Sequence, residues 1–122
     1  MRFVQDDASG INVIRAYAAG EIRINDRPIQ GSVIVSATDI RLETAVRSVA
    51  DLAPEHAQRI LALDPELVLL GSGPRQRFPA ASFGARFTQA GIGFEVMDTG
   101  AACRTFNVLV AERRRVVALL LA

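Results

Sequence analysis

No lysine occurs among the 122 residues, although the chain holds fourteen basic side chains, all of them arginine. A P-loop needs a lysine amine on its phosphates, and Schiff-base and pyridoxal-phosphate enzymes need one as nucleophile, so these reaction classes are excluded. Histidine and cysteine occur once each, at His56 and Cys103, which is too few for a cluster of nitrogen and sulfur metal ligands. No resident metal or cofactor is expected. One cysteine cannot close an internal disulfide, and the opening "MRFVQDD" lacks the apolar core of a secretory signal, so a reducing cytoplasm is the expected location. No apolar run approaches the ~20 residues that span a bilayer, and "VVALLLA", Val116–Ala122, is much too short. Formal net charge is +1, and no stretch is basic enough to neutralise a row of phosphates, which sets nucleic acid aside as a partner.

What is present is apolar. Half of the residues are hydrophobic and the mean hydropathy is +0.24, a composition that folds rather than one that stays disordered. At this length about two thirds of the extended chain's surface can be buried, so one domain with one core is expected over residues 1–122.

The period of the pattern changes along the chain. "INVIRAYAAGEIRIN" alternates around an Ala-Gly turn signal, with Ile22 and Ile24 on one face and Arg23 on the other, and predicts a hairpin from about Asn12 to Asn25. "NDRPIQG", Asn25–Gly31, reads as a loop because Asn, Asp, Pro and Gly each break regular structure. From Gly31 onward, short runs rich in Val, Ile, Leu or Phe alternate with helical patterns: "SVIVS", "ELVLLG", "FEVMD" and "VVALLLA". Runs this continuous suit strands covered on both faces. The expectation is therefore an α/β domain in which Val33–Val35, Val68–Leu70, Glu95–Met97 and Val116–Leu120 are neighbours in a mainly parallel sheet covered by helices, with extra antiparallel strands at the N-terminus.

Three helices are predicted. The first opens with Pro54 and turns Ala57, Ile60, Leu61 and Leu63 toward the sheet. In the second, Pro79 opens, Phe83 and Phe87 are spaced by four, and Gly91 closes. In the third, Asp98 or Thr99 caps the start, Ala102, Phe106, Leu109 and Val110 form an inward stripe, and Arg113 and Arg114 complement the dipole at the end.

Two stretches bear on chemistry. Cys103 falls in or just past the first turn of the third helix, where the helix terminus can lower a thiol's pKa, but a cysteine nucleophile needs a base within reach. His56 is the one candidate base, and it reads as a first-turn surface residue of another helix. The competing reading, a small hydrophobe packed in the core, takes precedence. "LLGSGPRQRFP", Leu69–Pro79, ends a buried strand in a glycine loop that leads into a helix. Open α/β sheets bind ligands at such places, and Gly71, Gly73, Arg75 and Arg77 fit an anion-holding loop. The dinucleotide fingerprint fails, because Gln76 stands at the third glycine position. The plainer reading is a tight turn with solvated arginines.

"GSGPRQRFP" followed by "GIGFEVMDTGAACRTFNVLVAERRRVVALLL" resembles the Mth938-like proteins, the DUF498 family, which includes a mitochondrial assembly factor of respiratory complex I. The similarity runs from about Gly31 to the end. It rests most on the motif at Gly71 and on the pattern Asp-Thr-x-x-Ala-Cys-x-Thr-aromatic-Asn at Asp98–Asn107. The resemblance implies a three-layer α/β domain with extra N-terminal strands beside a central sheet, and no established enzymatic activity. Its motifs map onto Gly71, Gly73, Arg77, Phe78 and Pro79, and onto Asp98, Thr99, Ala102, Cys103, Thr105 and Asn107. The chain departs from the family at "DLAPEH", where Ala53 stands in place of a helix-capping threonine, a change expected to weaken that helix start by about 1 kcal/mol.

Two functions follow as expectations. The first is a non-catalytic binding or assembly module that holds a partner protein. The alternative is a pocket for a small anion, built from Gly71–Pro79 and Asp98–Cys103, with Cys103 or Asp98 acting on the ligand. Both use one candidate edge: Gly71, Ser72, Gly73, Arg75, Arg77, Phe78, Asp98, Thr99, Cys103, Arg104 and Asn107. Both stretches follow strands expected to be parallel, so both loops should emerge at one end of the sheet. Self-association is left open by the sequence.

Overall fold

Turns set the course of the first part of the chain. The computed structural model describes residues 10–122, so Met1–Asp7, read above for a secretory signal, lies outside the described residues. β1 (Ile14–Ala18), β2 (Glu21–Ile24) and β3 (Arg27–Gln30) form an antiparallel meander in that order. The hairpin expected around Ala19–Gly20 is β1–β2, with Ile22 and Ile24 buried and Arg23 exposed. The expected loop at Asn25–Gly31 instead contains β3. Asn25 takes the left-handed conformation (φ 55°) that turns the chain, and Pro28 sits exposed on an edge strand, where a residue without an N–H is tolerated.

The second sheet has five strands in the order β5-β4-β8-β6-β7: β4 (Val33–Ser36), β5 (Ile40–Leu42), β6 (Leu67–Gly71), β7 (Gly93–Met97) and β8 (Val116–Leu120). All four expected runs are strands of this sheet. Its direction is mixed rather than mainly parallel: β6 pairs parallel with β7 and β8, while β4 pairs antiparallel with β5 and β8. The cause is a tight reversal at Ala37–Asp39. There Ser36 N–H donates to the Asp39 carbonyl (2.9 Å) and Asp39 N–H donates to Ser36 Oγ (3.0 Å). After that reversal β5, not β4, runs parallel to β6, and the helical crossover leads from β5.

The helices are α1 (Pro54–Leu61), α2 (Ala81–Thr88) and α3 (Thr99–Ala111). One sheet face, with Val33, Val35, Leu69, Ala118 and Leu120, packs against the meander's isoleucines and against Ala102, Phe106 and Val110 of α3. The other face, with Ile34, Val68, Leu70, Val117 and Leu119, packs against Ala57 and Ile60 of α1 and Phe83 and Phe87 of α2. Three layers result, and cover on both faces is why β4, β6 and β8 read as continuously apolar; β7, expected to be covered likewise, is instead an edge strand with Glu95 exposed. Each such large side chain contributes about 1.5–3 kcal/mol on burial.

Two helix ends differ from expectation. α2 starts at Ala81, two residues after Pro79. α3 stops at Ala111, so Arg113 and Arg114 lie beyond it. Arg113 takes a left-handed turn conformation (φ 64°), and Arg114 pairs with Glu66 at 3.1 Å.

Candidate functional site

The C-terminal ends of β6, β7 and β8 lie level, with Gly71 opposite Met97 on one side and Leu120 on the other. α3 starts directly above them. Its first residue, Thr99, is fully buried and ties three segments together: Gly73 N–H donates to Thr99 Oγ1 (2.8 Å), Thr99 Oγ1 donates to the Leu121 carbonyl (2.7 Å), and Thr99 N–H donates to the Gly73 carbonyl (2.8 Å). Gly71 permits this approach. A Cβ there would stand 3.0 Å from Thr99 Cα and 3.1 Å from Ala102 Cβ. The two motifs therefore lie side by side at one edge, as their positions after parallel strands predict.

Most polar groups of the motifs serve the fold. Asp98 caps α3 by accepting from Ala101 N–H at 2.9 Å. Ser72 is buried: its N–H donates to the Met97 carbonyl (2.9 Å), while its Oγ donates to the Arg75 carbonyl (2.7 Å) and accepts from Arg77 N–H (2.8 Å). Asn107 acts as a surrogate strand for β1. Its Oδ1 accepts from Ile14 N–H (2.9 Å) and its Nδ2 donates to the Ile14 carbonyl (2.8 Å).

Cys103 is 5% exposed and packs in the core beside Ala102 and Phe106. Burial pushes its thiol up to about 11, against the pull of the Arg104 charge and with a further push from Asp98. His56 is corrected from a surface residue to a buried one. Its Nδ1 accepts from Ala53 N–H (2.9 Å), giving α1 a hydrogen bond that the missing threonine would not have made, and its Nε2 lies 3.9 Å from the buried Glu43 carboxylate. Glu43 in turn pairs with Arg59 at 2.7 Å. α1 and α3 cover opposite faces of the sheet, so His56 cannot serve Cys103 as a base.

The edge does not form one pocket. Cys103, Arg104 and Asn107 line a hollow of about 180 Å³ against Arg15 and Tyr17 of β1. The Gly71–Pro79 loop borders others. One, of about 240 Å³, is lined by Arg47, Ser48, Ser72, Gly73, Arg75 and Arg77. Another, of about 370 Å³, lies between the starts of α1 and α2, with Phe78 on its wall. Phe78 is 70% exposed. Arg15, Tyr17 and Arg47 were not singled out in the sequence: they reach the edge from distant parts of the chain, and no local pattern announces that. Among the described residues no cluster of three or more His, Cys, Asp or Glu side chains could hold a metal ion, and no helix is long and apolar enough to cross a membrane.

Known proteins are similar to this chain in sequence and in fold. The chain is 33% identical over 120 residues to the zebrafish NADH dehydrogenase (ubiquinone) 1 alpha subcomplex assembly factor 3, covering 97% of this chain and 68% of that protein. It is 29% identical over 103 residues, 84% of each chain, to a 13 kDa major membrane protein of Francisella tularensis. A crystal structure of a Bordetella parapertussis protein superposes with a TM-score of 0.84 at 34% identity, covering 93% of this chain and 98% of that one. The solution structure of a Bordetella pertussis Mth938-like domain superposes at 0.80 with 28% identity, covering 99% and 92%. The family described as a protein of unknown function, DUF498/DUF598, matches residues 14–121, and the chain belongs to it.

Proposed function

We propose that this protein is a non-catalytic binding module that holds a partner protein, as an assembly factor does, and that the edge formed by Gly71–Pro79 and Asp98–Asn107 is its recognition surface. The observation that carries the reading is a division of labour at that edge. Groups capable of catalysis are committed to internal structure: the Cys103 thiol is buried and held protonated, Asp98 caps a helix, and His56 lies under the opposite face. Arg75, Arg77, Phe78 and Arg104 instead stand exposed. Guanidinium groups bind carboxylates in a paired geometry, so the surface is suited to an acidic group on a protein. The name of the zebrafish relative, an assembly factor, supports a protein partner.

The test replaces Arg77 and Arg104 with alanine, after thermal unfolding has established that the variant stays folded. Capture of the native partner at low salt should fall by at least about tenfold, the equivalent of about 1.4 kcal/mol. Unchanged capture would make this edge structural and end the assignment.

A further inference from the structure

We infer that the recognition surface continues from the Gly71–Pro79 loop toward Arg47 and the start of α1, and that it takes a partner segment in which carboxylates lie within a few residues of a large apolar side chain. The inference rests on the binding-module reading and specifies its partner. Two adjoining hollows carry it.

Three arginines, Arg47, Arg75 and Arg77, border one hollow, and none of them forms an ion pair among the described residues. Arg59, Arg114 and Arg115 have carboxylates of their own, whereas these three border a single hollow with none. The nearby acid, Asp51, is already engaged. Its carboxylate accepts from Arg47 N–H (2.9 Å) and Ser48 N–H (3.2 Å), and these backbone bonds, more than the Arg47 charge, hold its pKa low. A charge-assisted bond from an incoming carboxylate would supply what the three arginines lack.

The second hollow is walled mostly by apolar residues, among them Val49, Leu52, Pro54, Phe78 and Phe83, with Arg86 also on its wall. At about 370 Å³ it lies at the small end of ligand pockets and has room for one or two side chains. The two hollows are joined by covalent neighbours: Ser48 precedes Val49, and Arg77 precedes Phe78. An extended segment crossing this boundary meets positive charge and then apolar wall. Phe78 marks the crossing. The two residues before it are tied down, Arg77 N–H donating to Ser72 Oγ (2.8 Å) and Gln76 Nε2 to the Val96 carbonyl (3.0 Å), yet its ring is left in water. Covering such a ring regains hydration free energy at little ordering cost. Concave walls on both sides of it favour a polypeptide, which offers single side chains to pockets, over a lipid surface, which does not.

The experiment titrates the isotope-labelled full chain with short blocked peptides that combine glutamates and leucine, with variants carrying glutamine for glutamate or serine for leucine, and with anionic phospholipid vesicles and inorganic phosphate. The Glu-Leu peptide should shift amides at residues 47–54 and 73–83, and each peptide change should weaken binding about tenfold. R47A with R77A should mimic loss of the glutamates, and F78A loss of the leucine. Because R77 also borders the wider edge, R47Q alone is the second variant and should weaken the Glu-Leu peptide but not its Gln form. Equal binding of the Glu and Gln peptides, no amide shift at either hollow, shifts confined to 100–107 and β1, or vesicles binding where peptides do not would each overturn the inference. Partner capture that survives R47Q with F78A but fails with R104A would overturn it while leaving the proposed function standing. Capture insensitive to all of these changes would remove both.

Discussion

The Gly71–Pro79 loop and the first turns of α3 adjoin one another and look alike in sequence: each pairs glycine or a small polar residue with an arginine at a strand end. The structure puts them to different uses. At the start of α3 the polar groups are taken up by the fold: Asp98 caps the helix, Thr99 bridges to the loop, Cys103 packs in the core and Asn107 pairs with β1. In the loop, Gly71 and Ser72 lock the backbone, and Arg75, Arg77 and Phe78 project from it. A specific motif can thus be specific because packing is demanding. What is available for recognition is the set of side chains the fold leaves without a partner.

The comparison breaks first at Thr99. Thr99→Val keeps the shape but leaves the Gly73 N–H and the Leu121 carbonyl buried without partners, and should cost about 3 kcal/mol in urea unfolding, whereas Thr99→Ser should recover most of it. A loss below about 1 kcal/mol would mean that α3 is not held to the loop in this way.

Cys103 comes next. Cys103→Ser should cost about 1–3 kcal/mol through a poorly satisfied buried hydroxyl, with no loss of partner binding. Its folded pKa, about 11, lies above the model-peptide value of 9.0, so below pH 9 both folded and unfolded thiols are protonated and the contribution to stability is fully present. As pH rises from 9 toward 11, the unfolded chain ionises first and that contribution is lost. Wild-type stability should therefore fall across this window and that of Cys103→Ser should fall less. A thiol reagent at neutral pH should label the folded protein slowly. Rapid labelling would place Cys103 in the accessible set.

The smallest effect sharpens the contrast. Arg75→Ala and Arg77→Ala should change unfolding free energy by no more than about 0.5 kcal/mol, because each side chain is exposed and unpaired among the described residues. A larger loss would make these arginines structural.

Much of this was legible in the chain itself. The hairpin, four strands of the larger sheet, the inward stripe of α3 and the adjacency of the two motifs follow from periodicity, breaker residues and the rule that loops after parallel strands share an edge. Three misreadings have a common origin. β3 was hidden by Pro28 and its neighbours, which break a strand only when it is central. The direction of β4 turned on a reversal at Ala37–Asp39, too short to stand out in the sequence. His56 looked solvated because what buries it, Glu43 and the loop before α1, lies beyond its own helix.

By itself the sequence determined the layers and the excluded chemistries, since period and residue type are local properties: a run buried on both faces must be apolar throughout, and a missing lysine is missing in any fold. Only the tertiary structure decided which polar groups remain available. Whether a threonine or a cysteine points into the core or into solvent depends on partners from distant segments, as Thr99 shows with Gly73 and Leu121, and Asn107 with Ile14. The meeting of Arg47 with Arg75 and Arg77 is likewise a product of chain topology, because nothing in a local pattern records which loops the sheet brings to the same edge.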